Sequence, residues 1–188
     1  MTGHVYAEGY GCPSNAYDLK IILSRFKAEG YRKVMDPTEA DIIVVNTCAV
    51  KKRTEDRMLS RLRFLEKLGK PVVVSGCLTL VNMDAVTRAI PNYLALLGPS
   101  SVERIDEVLR QKCQPRGMNL LKGTRKPKAG TVTPGEGTTI EIVPVSEGCL
   151  GECAFCCTRL ARGRLTSSPP DSIVEAIRFG LKRGVKEF

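Results

Sequence analysis

Two unbroken β-branched runs, Ile42 to Val45 and Val72 to Val74, constrain the fold of this chain more than any other feature. A strand with one face in water alternates apolar and polar residues. A strand covered on both faces reads as continuous Val and Ile, as in a parallel sheet enclosed by helices. Helical patterns separate the runs. Ser14 or Asn15 can cap a helix running to about Glu29 and stopped by Gly30, with Leu19, Ile22, Leu23 and Phe26 on one face. A second helix, about 52–68, buries Met58, Leu62 and Leu65 and ends at Gly69-Lys70-Pro71. A helix near 82–90, a strand at 93–97 and a helix near 102–112 continue the alternation. The expectation is α/β: a flavodoxin-like doubly wound parallel sheet occupying residues 1–113.

Beyond it, residues 114–139 hold five basic side chains against one acidic and are rich in Gly and Pro, which reads as a linker or long loop. A new strand is expected in "TTIEIVPVS", then a helix from about Asp171 to Lys182 and a last apolar start at "GVKEF", so residues 140–188 open a second domain. The net charge of +9 is densest in the middle segment, whose excess of four basic groups equals that of residues 1–113, with 17 basic and 13 acidic groups, while residues 140–188 carry 7 and 6. Clustered positive charge suits a polyanion, although a solvated basic face would read the same way. No apolar run approaches the roughly 20 residues of a membrane span, and the first residues lack the basic start and apolar centre of a signal peptide. A cytoplasmic location is expected, where eight cysteines point to metal or redox chemistry before disulfides.

Three of those cysteines share one local design, an apolar run followed by a small-residue turn and a cysteine: "VYAEGYGC" at Cys12, "DIIVVNTC" at Cys48 and "PVVVSGC" at Cys77. In a doubly wound sheet, ligands sit beyond the carboxyl ends of strands, and neighbouring strands lie about 4.8 Å apart, so three thiols can face one metal centre. A second set is local, Cys149-x3-Cys153-x2-Cys156. Short spacers let successive thiolates reach different irons of one iron–sulfur cubane, and three ligands leave one iron open. Structural zinc is the rival and takes a closed set of four, often with His. Here Cys157 is a poor fourth ligand, because adjacent residues seldom both reach one centre, and His4, the only histidine, lies near the terminus. Cys113 and Cys157 read as structural thiols.

"EGCLGECAFC" at 147–156 resembles the radical S-adenosylmethionine signature. Together with "GCPSNAYD" at 11–18, "VVNTCAVKKRTED" at 44–56, "SGC" at 75–77 and "ARGRLTSSP" at 161–169, nearly the whole chain resembles the methylthiotransferase family. "TRLARGRLTSSP" is most similar to the archaeal and eukaryotic branch that acts on N6-threonylcarbamoyladenosine beside the tRNA anticodon, while Leu80 and Leu160 depart from common family residues. Members of the family also act on isopentenyladenosine in tRNA or on a ribosomal protein. The family's catalytic barrel is far longer than residues 140–188, so the chain reads as an amino-terminal portion ending within the first part of a radical SAM (β/α) partial barrel.

The resemblance implies two [4Fe-4S] clusters, one on Cys12, Cys48 and Cys77 and one on Cys149, Cys153 and Cys156. The second would bind S-adenosylmethionine and generate a radical, and the first would hold the sulfur to be transferred. It implies tRNA as substrate, a reductant such as a flavodoxin or ferredoxin, and a sulfur donor. Phe155 would pack by the cofactor's adenine, or else in the core. Asn15, Asn46 and Thr47 sit in the cluster loops, where short polar groups turn the backbone or donate to cluster sulfur. Asp18 matches a family motif and equally suits a helix's first turn. For RNA, Arg53, Arg57 and Arg61 recur every four residues along one helix edge, with Lys51 and Lys52 at its start and Arg162 and Arg164 after the radical loop. The non-enzymatic alternative is a zinc-stabilised RNA-binding module.

Overall fold

The computed structural model describes residues 3–111, 117–133 and 138–188. Its order is β1 (His4–Gly9), α1 (Pro13–Ala28), β2 (Arg32–Val34), β3 (Ile42–Thr47), α2 (Lys52–Glu66), β4 (Val72–Gly76), α3 (Leu78–Val81), α4 (Met83–Ala89) and β5 (Ala95–Leu97). A 3-10 turn, Pro99–Arg104, then runs into α5 (Ile105–Arg110), and β6 (Met118–Leu120) follows. Strands β1 to β6 form one parallel sheet in the order β2-β1-β3-β4-β5-β6. This is the flavodoxin-like arrangement expected from the sequence.

Every residue of β3 and β4 is buried, which is what their unbroken apolar runs require. Alternate side chains serve opposite faces. Ile42, Val44 and Val73 pack with Ile21, Ile22 and Phe26 of α1, while Ile43, Val45, Val72 and Val74 pack with Met58, Leu62 and Leu65 of α2. Each such side chain contributes about 1.5–3 kcal/mol on burial, so the two layers hold the central strands from both sides. Helix α1 starts earlier than a Ser14 or Asn15 cap would place it. Cys12 is its N-cap, and Pro13, with φ already helical and no N–H to satisfy, takes the first turn.

The segment read as a linker differs from that expectation. Met118–Leu120 adds a sixth strand to the sheet by pairing with β5, and the residues after it pack back on α1, where the Tyr17 hydroxyl donates to the Lys128 carbonyl at 3.0 Å. A strand of only three residues has no periodicity to betray it. Residue 113, and with it Cys113, lies outside the described residues.

The strand expected in "TTIEIVPVS" is reduced to one parallel bridge, Ile140 to Glu187, and to β7 (Ser146–Glu147), which pairs antiparallel with β8 (Thr166–Ser167). A strand forms only as far as a partner offers backbone groups, and here the partner offers few. Among the described residues, the expected partial barrel is present only as that bridge, with α6 (Cys157–Arg162) and α7 (Pro170–Lys182). No helix among the described residues is long and apolar enough to cross a membrane.

Candidate metal centres and the contact between them

β1, β3 and β4 are neighbours in the sheet, so their carboxyl ends open onto one crevice. Cys48 and Cys77 follow β3 and β4 directly, and Cys12 lies just past the turn after β1. The Cys77 N–H donates to the Thr47 carbonyl at 3.0 Å, which keeps the two loops in step beyond the strands. Gly76 makes this turn with φ +97°, and a Cβ there would run into the Thr47 carbonyl. Gly11, at φ +108°, brings the Cys12 loop against Cys48; a Cβ on it would stand 3.1 Å from the Cys48 sulfur. Cys12 is exposed, whereas Cys48 and Cys77 are buried.

Asn15 ties the loops together. Its Nδ2 donates to the Tyr10 carbonyl at 2.9 Å and the Thr47 carbonyl at 2.8 Å, and its Oδ1 accepts from the Cys77 thiol at 3.6 Å. Thr47 is also structural, its hydroxyl donating to the Ser75 carbonyl at 2.6 Å. Asn46 is different. It pairs in register with Ser75, both are fully buried, and neither the Asn46 amide nor the Ser75 hydroxyl has a hydrogen-bond partner. Buried polar groups without partners cost free energy unless a ligand or water meets them, so these two point to a polar occupant at the cysteine-bearing strand ends. Burial pushes the Cys77 thiol up to about 11, against the opposing pull of the Arg162 guanidinium.

In the second set, Cys149 and Cys153 are exposed and Cys156 is half-buried. Backbone N–H groups already face two of the sulfurs: Gly151 N donates to Cys149 at 3.3 Å, and Arg159 N donates to Cys156, the N-cap of α6, at 3.4 Å. An open cavity of about 520 Å³ lies beside them, lined by Cys153, Phe155, Cys156, Cys157, Arg159 and Leu160. Phe155 is 91% exposed on its rim and packs into no core among the described residues. All seven described cysteines are free. Among the described residues, no three ligating side chains close to the distances of a single metal ion.

The basic residues divide sharply. Arg53, Arg57 and Arg164 are exposed, as are Lys51 and Lys52, the latter paired with Glu55 and Asp56. Arg61 turns back to the sheet, 3.0 Å from Glu8 and 3.2 Å from the Tyr6 hydroxyl. Arg162 corrects the sequence reading more strongly. Instead of facing phosphate it is buried, and its guanidinium bonds Glu147, Asp18 at 2.8 Å and the Asn15 Oδ1 at 2.5 Å. Lys128 completes the group, 2.6 Å from Asp18 and 2.9 Å from Glu147. Two cations thus meet two carboxylates, Asp18 and Arg162 buried and Lys128 and Glu147 partly exposed, and such pairing is the condition under which buried charge is tolerated. Burial still raises the Asp18 carboxyl, with Lys128 and Arg162 opposing it. Sequence reasoning missed Lys128 and Glu147 because nothing local distinguishes them from ordinary surface charges.

The family model described as "Uncharacterized protein family UPF0004" matches residues 4–98, from β1 through the end of β5, and so includes Cys12, Cys48 and Cys77. The chain belongs to UPF0004. This UPF0004 chain is 36% identical over 186 residues to the Pyrococcus abyssi protein named "Probable threonylcarbamoyladenosine tRNA methylthiotransferase", covering 97% of this chain and 43% of that protein. It is 30% identical over 194 residues to the Drosophila melanogaster "Threonylcarbamoyladenosine tRNA methylthiotransferase", covering 99% and 34%. It is 33% identical over 178 residues to the Alkalilimnicola ehrlichii "Ribosomal protein uS12 methylthiotransferase RimO", covering 94% and 39%. The UPF0004 chain therefore spans less than half the length of these curated relatives.

Proposed function

We propose that this chain is the cysteine-bearing portion of a tRNA methylthiotransferase acting on threonylcarbamoyladenosine. The carrying observation is that two cysteine triads, one on three adjacent strand ends and one in a single local loop, meet through a single buried arginine. The names of the archaeal and insect relatives support the substrate.

The residues suit iron–sulfur clusters in three respects. Each set offers three spaced thiols, with Cys157, adjacent to Cys156, a poor fourth, which suits a cluster with one open iron. Asn46 and Ser75 hold unused hydrogen-bonding capacity beside Cys48 and Cys77. Backbone N–H groups already face sulfur at Cys149 and Cys156. Cys12, Cys48 and Cys77 would hold one cluster and Cys149, Cys153 and Cys156 the other. With S-adenosylmethionine, such clusters supply the radical, sulfur and methyl chemistry of methylthiolation.

The protein's own residues then bind and orient. Asn15 fixes the relation of the Cys12 and Cys48 loops, and Phe155 offers an exposed ring face to a bound adenine. Lys51, Arg53, Arg57 and Arg164 present unburied charge to RNA phosphates. In domain terms, the first-triad unit runs through β6 at residue 120, the residues after it pack back on α1, and 140–188 begin the radical SAM domain. The enzyme would work in the cytoplasm with a reductant such as a flavodoxin or ferredoxin.

The test is iron, sulfide and visible absorption after anaerobic reconstitution, on the full chain and on variants with either triad changed to alanine, together with mass analysis of tRNA nucleosides. About eight irons, falling to about four in each variant, and a methylthio adduct on threonylcarbamoyladenosine are expected. Zinc in place of iron, or iron indifferent to the first triad, would sink the reading. A methylthio group on a ribosomal protein instead of tRNA would favour the activity for which the Alkalilimnicola relative is named.

A further inference from the structure

The loop holding Cys149, Cys153 and Cys156 is closed at its base by one residue. Glu147 enters it from β7, Arg162 leaves it at the end of α6, and the two are ion-paired. Gly163, at φ +73°, then turns the chain away. The same guanidinium reaches out of the loop to α1, where it bonds Asp18 and the Asn15 Oδ1 that also accepts from the Cys77 thiol. A continuous path therefore runs from Cys156, the cap of α6, through Arg162 and Asn15 to Cys77. Lys128 anchors the same two carboxylates and the Pro99 carbonyl, so the path is held from a third side.

We propose that Arg162 is a positioning residue that couples the two cysteine triads, setting the Asn15 and Cys77 side of the first site from the base of the second loop. When Cys77 serves as a ligand its S–H is gone, and Arg162 becomes the one donor to the Asn15 Oδ1 among the described residues. Arg162 also brings a fixed positive charge to a site of anionic sulfur, where fixed charge and hydrogen bonds tune a cluster. The inference rests on the first triad holding an iron–sulfur cluster.

The test uses the full chain, anaerobically reconstituted, with Cys149, Cys153 and Cys156 replaced by alanine so that only the first site is read. The variants are Arg162→Gln, Arg162→Lys and the charge-balanced pair Asp18→Asn with Arg162→Gln. The readouts are circular dichroism, the electron paramagnetic resonance spectrum and midpoint potential of the reduced cluster, and the rate of iron loss to a chelator. Arg162→Gln and the balanced pair are expected to stay folded, with an altered spectrum, a more negative potential and iron loss several-fold faster; Arg162→Lys should recover part of the change. A folded balanced pair with the parent's spectrum, potential and chelator resistance would make Arg162 a structural ion-pair partner only. Unfolding of both the balanced pair and Arg162→Lys would overturn the proposal in the same way. If the parent takes up no iron at the first triad, the cluster reading fails instead.

Discussion

The Arg162 guanidinium lies 2.8 Å from the Asp18 carboxylate across 144 residues of sequence, and both side chains are buried. That pair fastens the second cysteine loop to the helix that begins at Cys12. Removing one member of a buried pair strands the other's charge, which typically costs about 3–5 kcal/mol, whereas exposed pairs contribute about 0–1 kcal/mol. Arg162→Ala leaves Asp18 and Glu147 to share Lys128 alone, so it is expected to lower stability by up to the larger amount, and Lys52→Ala by the smaller. Urea denaturation of the reduced, metal-free chain measures both.

Gly76→Ala should act on one site and spare the other. The left-handed conformation and the oncoming Thr47 carbonyl make any side chain there a strain of about 1–3 kcal/mol, and the strain falls on the residue before Cys77. Reconstitution is expected to yield roughly half the iron of the parent. Equal iron in both chains would show that the turn at 76 does not position Cys77.

The metal-free chain should lose stability at alkaline pH. The Cys77 thiol is raised from 9.0 to about 11 by burial, so the unfolded chain ionises first, and stability present below pH 9 is lost as pH rises toward 11. Two pKa units correspond to about 3 kcal/mol at full effect. Tyr6, Tyr10, Tyr17 and Tyr31 are also raised by burial and contribute in the same direction, so the informative quantity is the difference from Cys77→Ser. Urea midpoints at pH 8 and pH 10.5 should fall less in that variant, as about 1–3 kcal/mol of the loss disappears with the thiol.

The basic edge of α2 splits into two kinds of arginine. Arg53→Glu and Arg57→Glu are expected to weaken tRNA binding and reduce its salt slope by about one for each phosphate no longer neutralised, with little effect on melting. Arg61→Glu should instead destabilise the chain, because it breaks the pair with Glu8 and faces it with a like charge. Filter binding across a salt series, with thermal melts of the same proteins, separates the two.

Phe155→Ala should leave stability unchanged, since a ring that is 91% exposed contributes little packing. Its expected effect is on S-adenosylmethionine binding to the reconstituted enzyme, read by equilibrium dialysis. A lowered melting temperature with unaltered binding would make it a packing residue.

The central sheet is legible in the sequence because strands covered on both faces leave an unmistakable apolar run at 42–45 and 72–74. β2 and β6 are not, since Arg32-Lys33-Val34 and Met118-Asn119-Leu120 are too short to show a period, and their strand character comes from β1 and β5 offering an open edge. The placement of Cys48 and Cys77 at strand ends can be read from spacing. The charge cluster cannot, because Asp18 meets Lys128 and Arg162 across 110 and 144 residues and each looks alone like a solvated charge. Arg162 reads as a phosphate contact for that reason. Basic composition near a loop does not tell whether the charge faces outward or inward.

Asp18 is synthesised long before Lys128 and Arg162. A nascent chain extending to residue 120 already contains all six strands of the sheet, yet the carboxylate beneath α1 has no cation to meet it, and burying it unpaired would cost several kcal/mol. During translation, α1 is therefore expected to stay wet or loosely docked at its first turns, the turns that carry Cys12 and Asn15, until Lys128 has emerged to meet the carboxylate. The earliest cysteine in the chain is thus expected to take up its final setting only once a lysine more than a hundred residues later has been made.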